Sequence, residues 1–196
     1  MNIVIPMAGM GKRLRPHTLT TPKPLIEGAG KSIVRRLCED INQVVGEQID
    51  EIGFIIGDFG KEVEERLLQI AEQLGAKGKI YYQNEPLGTA HAVWCARESL
   101  KGKVTVAFAD TLFDAGFAMN TEEDGIIWTH KVEDPSAFGV VELDGEKIVK
   151  IIEKPKPGET DSKLINTGIY IFNKDIFDKI DKTEISPRGE YEITDS

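Results

Sequence analysis

The stretch NIVIPMAGMGKRLRP, residues 2–16, joins an apolar run of strand length to a loop with two glycines and three cations. Ile3 to Pro6 is typical of a buried strand, and Gly9 and Gly11 allow backbone amides to come close to an oxyanion. Arginines in such a loop can bind phosphate oxygens in bidentate fashion. A tight turn with solvated cations is the alternative interpretation. The stretch therefore predicts a strand followed by a phosphate-binding loop, which the rest of the chain must support.

Strands and helices alternate after this stretch. Apolar runs of strand length alternate with helical apolar spacing, which predicts strands at 3–6, 51–56, 79–83 and 104–109, and helices at 32–45, 63–71 and 89–100. Such alternation implies a mostly parallel sheet covered by helices, with ligands at the carboxyl ends of the strands. Further strand-like runs follow at 125–130, 139–143, 147–153 and 164–172, and they predict partly antiparallel strands on the same sheet.

Length and composition limit the class of protein. The chain has 196 residues, 40% hydrophobic and 29% charged, which is typical of one globular domain. No apolar run approaches the roughly 18 residues of a membrane span, and no signal peptide is recognised. Cys38 and Cys95 lack metal-type spacing and are predicted to be reduced, buried thiols. We expect a soluble, cytoplasmic protein without a membrane partner.

Charge is distributed unevenly. The formal net charge of −9 argues against a nucleic-acid partner. The first 36 residues nevertheless contain only one acid, Glu27, and seven cations: Lys12, Arg13, Arg15, Lys23, Lys31, Arg35 and Arg36. A local basic cluster on an acidic protein indicates a small anionic ligand.

A second glycine-rich stretch, Gly28-Ala-Gly-Lys-Ser32, is similar to the end of a P-loop. The P-loop spacing requires a glycine at position 25, where this chain has Leu25, and a strand directly before the loop. The sequence instead favours a turn, with Ser32 near the start of a helix.

The motifs together resemble those of the sugar-1-phosphate nucleotidyltransferases, which include glucose-1-phosphate thymidylyl- and uridylyltransferases and mannose-1-phosphate guanylyltransferases. The resemblance extends over the whole chain, with motifs in order at 8–16, 22–25, 83–90, 108–110, 138–142, 152–155, 166–170 and 189–195. It implies an α/β fold, a Rossmann-like three-layer α/β/α domain with a mostly parallel mixed sheet. It also implies a reaction in which a hexose 1-phosphate attacks the α-phosphorus of a nucleoside triphosphate, with Mg²⁺ as cofactor, to give a nucleotide sugar and pyrophosphate.

The resemblance assigns catalytic residues. Arg13 would stabilise charge on the departing pyrophosphate, Lys23 would reach the phosphates, and Lys154 would neutralise the sugar phosphate. Asp110, at the end of a predicted strand, would be the magnesium ligand, since a carboxylate suits this ion. An acidic helix cap is the structural alternative for Asp110.

The resemblance also assigns binding residues. The nucleotide would contact Ala8, Gly9, Met10, Gly11, Gln83, Gly88 and Thr89. The sugar phosphate would contact Gly139, Glu153, Lys154, Asn166, Thr167 and Gly168, although a buried strand turn explains some of these equally well. The amide of Gln83 offers one acceptor and two donors, which complement N3–H and O4 of uracil or thymine. On this ground UTP or dTTP is favoured. Gly88 would lie close beside the base, where a side chain would intrude.

The chain departs from the family pattern at two points. Ala8 and Lys12 replace the usual glycine and threonine of the loop. Family members also supply a second metal carboxylate beyond the last motif, so we expect residues 1–196 to be a catalytic domain truncated at its C-terminal end. Two alternatives stay open: a GTP-using mannose-1-phosphate guanylyltransferase, and a non-catalytic regulatory protein that binds nucleotide or sugar phosphate. The oligomeric state is also open, and a homo-oligomer is compatible with the sequence.

Overall fold

The computed structural model describes residues 1–9, 11, 18, 21–113, 123–172, 175–186 and 189–195. The strands are β1 (Asn2–Pro6), β2 (Glu27–Gly28), β3 (Lys31–Ser32), β4 (Glu51–Ile56), β5 (Lys77–Tyr82), β6 (Val104–Ala107), β7 (Gly125–Lys131), β8 (Gly139–Asp144), β9 (Lys147–Glu153) and β10 (Leu164–Phe172). The helices are α1 (Ile33–Val45), α2 (Lys61–Gln73), α3 (Thr89–Cys95) and α4 (Asp175–Ile180), and short 3-10 turns occur at Lys23–Leu25, Arg97–Ser99 and Ile193–Asp195.

One mixed sheet organises the chain. Its strand order is β5-β4-β1-β6-β10-β8-β9, and β7 also pairs with β10. The first four strands of this order are parallel, whereas β10 is antiparallel to β6, β7 and β8. Because β1 lies between β4 and β6, the chain leaves β1 at the point where the strand order reverses. Ligands of open α/β sheets bind outside the carboxyl ends of the strands at such a point.

Two apolar clusters cover the two faces of the sheet. Alternate residues of β1 point to opposite faces, so Ile3 and Ile5 pack with α1 and α2, whereas Val4 packs with α3. Leu37 and Leu67 are fully buried on the first side, and Val93 is fully buried on the second. The expected three-layer α/β/α arrangement with a mostly parallel mixed sheet is confirmed.

Two elements end at least two residues earlier than the sequence predicts. The helix predicted to reach residue 100 ends at Cys95 and continues as the 3-10 turn Arg97–Ser99. The strand predicted to reach residue 109 ends at Ala107, because Gly168, opposite Phe108, leaves the extended conformation with a φ of 78°. One hydrogen bond, from the N–H of Phe108 to the Gly168 carbonyl at 3.0 Å, still joins the two segments.

The stretch that is similar to a P-loop forms a hairpin. Ala29 and Gly30 have φ of 50° and 79° between β2 and β3, as a two-residue type I′ turn requires. The Ser32 hydroxyl then accepts a hydrogen bond from the N–H of Arg35 at 3.4 Å and caps α1. The prediction of a turn and a helix cap is therefore confirmed.

The two cysteines differ in burial. Cys38 is buried in α1 as predicted, and burial raises its pKa to about 12. Cys95 is only half-buried in α3, so the prediction of burial is wrong for this thiol.

Among the described residues, no helix combines the length and apolar character that crossing a membrane requires.

Candidate active site

Two adjoining cavities open at the carboxyl edge of the sheet. The loop cavity, of about 790 Å³, lies beside the ends of β1, β4, β5 and β6, and its lining includes Gly9, Gly11, Lys23, Gln83 and Gly88. The β10 cavity, of about 1130 Å³, is lined by residues of β7–β10, including Gly139, Glu153, Asn166, Thr167 and Gly168. Thr89, Phe108 and Asp110 line both cavities. Two ligands could therefore meet at Asp110.

The glycines of the first loop have different environments. Among the residues that the structure describes, none would come within 4 Å of a Cβ at Gly9, so on this side its backbone is open to a ligand. Gly11 has a φ of 60°, and a Cβ there would lie 2.9 Å from the Cβ of Lys23. The Thr18 hydroxyl donates to the Gly11 carbonyl at 2.8 Å. Gly11 is thus required by close packing against Lys23.

Lys23 is held by its neighbours in sequence. Pro22, Pro24 and Leu25 are buried around a single 3-10 turn, so the backbone of Lys23 is anchored while its side chain stays partly exposed. Its Nζ lies 3.3 Å from Oδ2 of Asp110. Since Asp110 is 60% exposed, this ion pair is weak and can be replaced by ligand contacts.

The segment at 189–195 packs beside α3 and contributes to both cavities: Glu190 lines the loop cavity, and Glu192, Ile193 and Thr194 line the β10 cavity. The N–H of Tyr191 donates to the carbonyl of Leu87 at 2.8 Å, and the Tyr191 carbonyl accepts from Ala90 at 2.9 Å. The Thr89 hydroxyl accepts from the N–H of Ile193 at 2.9 Å. Part of the hydrogen-bonding capacity of Thr89 is therefore used to hold this segment.

Gly88 allows the same close approach. Its φ is 116°, and a Cβ there would overlap the backbone of Tyr191, with the Tyr191 nitrogen at 2.7 Å. We expected a side chain at this position to intrude on a base. The nearest obstacle that the structure contains is instead Tyr191, so packing alone already requires glycine here.

The β10 cavity has a polar floor built on a bulge. The pairing of β10 with β7 shifts between Asn166 and Tyr170, and Gly168 has a φ of 78°. The Asn166 carbonyl oxygen Oδ1 accepts from the Gly168 N–H at 2.9 Å, and its Nδ2 donates to the Tyr170 hydroxyl at 2.5 Å. Burial raises the pKa of Tyr170 to about 12, so this phenol stays neutral near pH 7. Asn166 thus orients the bulge and the phenol together.

Gly139 makes room for Glu153 on the neighbouring strands. The two residues are paired between β8 and β9, and a Cβ at Gly139 would lie 2.9 Å from Oε2 of Glu153. The carboxylate therefore points over the glycine into the β10 cavity. Lys154 follows directly, with a φ of 50° and its Nζ 3.9 Å from Oε1 of Glu153, but it lies outside the lining of both cavities.

The predicted site residues are largely brought together. The loop cavity is lined by Ala8, Gly9, Gly11, Lys23, Gln83, Gly88, Thr89 and Asp110, and the β10 cavity by Gly139, Glu153, Asn166, Thr167 and Gly168. Met10 and Arg13 lie outside the described residues, as do Lys12 and Arg15. Their predicted roles stay predictions.

Several lining residues were missed by the sequence reasoning. Gly57, Asp58 and Phe59 line the loop cavity directly after β4, and the rule that ligands gather at strand ends could have found them. Trp128 lines the β10 cavity, and its carbonyl accepts from the Thr167 hydroxyl at 2.9 Å. No sequence pattern connects Trp128 with Thr167, because the two are 39 positions apart.

The cavity walls are acidic. Asp58, Asp110 and Glu190 line the loop cavity. Among the described residues of this lining, Lys23 is the one lysine or arginine. In the β10 cavity, Glu153 and Glu192 accompany Asp110. No group of three potential metal ligands occurs among the residues that the structure describes. The described lining of the two cavities therefore has more carboxylates than cations.

The fold and the joined cavities define a Rossmann-like α/β protein with a two-part ligand site. The chain belongs to the nucleotidyl transferase family, whose model matches residues 3–196.

Known proteins of this type are similar over most or all of the chain. A bifunctional protein GlmU from Methanococcus maripaludis is 35% identical over 199 residues, which cover 100% of this chain and 46% of that protein. A mannose-1-phosphate guanylyltransferase catalytic subunit beta from Drosophila pseudoobscura pseudoobscura is 35% identical over 91% of this chain and 49% of that protein. A solved Bacillus anthracis structure, described as a glucose-1-phosphate thymidylyltransferase, is 28% identical with a TM-score of 0.85 and covers 100% of this chain and 80% of that one. The chain thus spans about half the length of the curated relatives it matches.

Proposed function

We propose that the protein transfers a nucleotidyl group from a nucleoside triphosphate, with UTP or dTTP favoured, to a hexose 1-phosphate. An oxygen of the sugar phosphate attacks the α-phosphorus, the bond from that phosphorus to the bridging oxygen breaks, and pyrophosphate leaves. The observation that carries this proposal is the junction of the two cavities at Asp110. A triphosphate in one cavity and a sugar phosphate in the other would meet there.

The loop cavity is the proposed nucleotide site. The open backbone at Gly9 suits the close approach of phosphate oxygens, and Lys23 beside Asp110 supplies a donor for them. Met10 and Arg13 would complete this phosphate contact, with Arg13 stabilising the charge that develops on pyrophosphate. Such donors are most effective when they are positioned before the reaction.

Mg²⁺ fits the proposed reaction through Asp110. This ion prefers oxygen ligands and is commonly bound by one or two carboxylates plus substrate phosphates. Asp110 presents a partly exposed carboxylate where the two cavities meet, and the described lining adds further carboxylates on either side. When bound, Mg²⁺ would neutralise charge on the phosphates, and Asp110 would fix its position.

The β10 cavity is the proposed sugar-phosphate site. Glu153 would accept hydrogen bonds from sugar hydroxyls, and the neutral Tyr170 phenol adds a group that can donate. Asn166, Thr167 and Gly168 would shape the floor. Lys154 would have to turn from its contact with Glu153 to reach the sugar phosphate.

A guanylyltransferase is the second candidate for the nucleotide. The 35% identity with the Drosophila mannose-1-phosphate guanylyltransferase subunit favours it. A regulatory protein without catalysis is the alternative that retains the site but lacks turnover. The catalytic-domain assignment of residues 1–196, the cytoplasmic location and a homo-oligomer stay predictions.

Release of pyrophosphate tests the proposal. Each of UTP, dTTP, GTP, CTP and ATP is combined with Mg²⁺ and with a panel of hexose 1-phosphates, and pyrophosphate is measured with a coupled enzyme. We expect release only when both substrates are present, and a loss of release in Asp110→Asn. Nucleotide binding without release for any pair would support the regulatory alternative, and release without sugar phosphate would contradict the transfer reaction.

A further inference from the structure

Gln83, at the end of β5, makes two contacts through one atom. Its Nε2 donates to the Gly88 carbonyl oxygen at 3.0 Å and lies 3.2 Å from Nδ1 of His91. The atom that contacts the carbonyl must be the amide nitrogen, because a carbonyl oxygen only accepts. An amide nitrogen does not accept, so Nδ1 of His91 must be the acceptor in the second contact.

The two contacts use both hydrogens of the amide. A primary amide carries two N–H donors and one oxygen acceptor, so Oε1 is the polar atom that Gln83 retains for a ligand in the loop cavity. This revises the expectation that the amide could both donate to and accept from a base. A flipped amide would place Oε1 against the Gly88 carbonyl oxygen, so that two acceptors would face each other.

The second ring nitrogen of His91 makes a long contact within α3. With Nδ1 accepting, its hydrogen is on Nε2, which lies 3.9 Å from the sulfur of Cys95 one helical turn later. Burial raises the pKa of the Cys95 thiol, so the sulfur stays uncharged. His91 is not among the residues that line either cavity, and its contact with Gln83 connects it to the loop cavity.

We propose that His91 is a positioning residue that fixes the Gln83 amide with its oxygen toward the base, and thereby selects nucleobases with an N–H on the Watson–Crick edge. Uracil and thymine present N3–H and guanine presents N1–H, whereas cytosine and adenine present an unprotonated ring nitrogen at that place. The proposal rests on the proposed function of the loop cavity as a nucleotide site. It applies to both the uridylyl and the guanylyl alternatives.

The experiment compares UTP with CTP, and GTP with ATP. UTP and CTP have the same size, but the ring nitrogen on the Watson–Crick edge carries a hydrogen in uracil and none in cytosine. His91→Leu removes the acceptor, whereas His91→Asn keeps an oxygen that can occupy about the place of Nδ1. Cys95→Ala is the matched control on the next turn of α3. For each variant, kcat/KM for pyrophosphate release and the nucleotide dissociation constant by calorimetry are measured for the pair that the wild type discriminates.

We expect His91→Leu to lower the discrimination ratio by about ten- to a hundredfold, the scale of one mismatched buried hydrogen bond. His91→Asn should restore the ratio to within about threefold of the wild type on the same scale, and Cys95→Ala should leave it unchanged. A general loss of activity with an unchanged ratio would overturn the proposal, because a merely structural role predicts that result.

A measurement on the wild type keeps the proposal testable if His91→Leu does not fold. The chain has three histidines, so nitrogen chemical shifts can be assigned to each ring. The proposal requires an unprotonated Nδ1 in His91, and a hydrogen on Nδ1 would overturn it. Transfer activity with a discrimination ratio that His91→Leu leaves unchanged would refute this inference alone. Absence of binding and transfer for every nucleotide would refute the proposed function as well.

Discussion

Replacing Gly88 by alanine tests whether close packing on Tyr191 holds the wall of the loop cavity. Gly88 has φ 116° and ψ 179°, a region that is essentially restricted to glycine, and this strain alone costs about 1–3 kcal/mol for alanine. The new Cβ would also overlap the Tyr191 backbone, whose nitrogen would be 2.7 Å away. Overpacking of this kind typically adds about 1–3 kcal/mol. We therefore expect the free energy of unfolding to fall by about 2–6 kcal/mol, the sum of the two contributions.

Gly60→Ala is the matched control. Gly60 has φ 84° and ψ 163°, in the same region, but a Cβ there would meet nothing within 4 Å. Gly60→Ala should lose only the strain contribution, so urea denaturation should separate the two variants by about 1–3 kcal/mol. Hydrogen exchange should also become faster at the amides of Ala90, Tyr191 and Ile193 in Gly88→Ala alone. Equal losses of stability and equal exchange in the two variants would refute the packing argument.

Three further changes test the proposed reaction. Asp110→Asn should lower turnover at least about a hundredfold, which is the scale of losing one charge-stabilising group at the reacting centre. A variant that turns over at the wild-type rate would show that the carboxylate is merely structural. Lys23→Ala should lower kcat/KM for the triphosphate about ten- to a hundredfold, because it removes a charged hydrogen-bond donor, and steady-state kinetics that match the wild type would exclude this contact. Gly139→Ala should displace the nearby carboxylate and raise KM for the sugar phosphate about tenfold or more, without changing nucleotide affinity by calorimetry. Gly125→Ala is its control, since its Cβ would meet only one atom, at 3.9 Å, and an equal effect in both variants would contradict the proposed sugar site.

The carboxyl-edge residues could be predicted from the sequence because local signals determine them. Apolar runs gave the parallel strands, and the residue after each run must lie at one edge of the sheet. That rule alone brings Gly9, Gln83 and Asp110 together, and all three line the loop cavity. The same rule applies to Gly57, which follows β4, but Gly57 belongs to none of the motifs on which the resemblance rests.

The packing of distant segments could not be predicted in the same way. Tyr191 lies about a hundred positions from the α3 residues that it contacts, and no periodicity links the two segments. The requirement for glycine at position 88 was therefore assigned to a ligand, although a protein segment already fills the space beside it. The contact of His91 with Gln83 was missed for a related reason. The contact depends on how α3 is rotated about its own axis relative to the end of β5. The apolar pattern does not define this rotation accurately enough to predict a single hydrogen bond.

The number of cations in a sequence window overstates the positive charge at the site. Lys31 and Arg35 both bind Glu39, at 2.6 and 3.0 Å, and hydrogen bonds from these two cations lower the pKa of Glu39. Arg36 donates to carbonyl oxygens of the turn between β2 and β3. Of the four described cations among the first 36 residues, only Lys23 lines the loop cavity. A count along the sequence gives the four cations equal weight. The electric field at a ligand depends instead on the distance to each charge and on whether a neighbouring carboxylate compensates that charge. The three paired or bonded cations instead hold the start of α1 against the hairpin, which is a structural role.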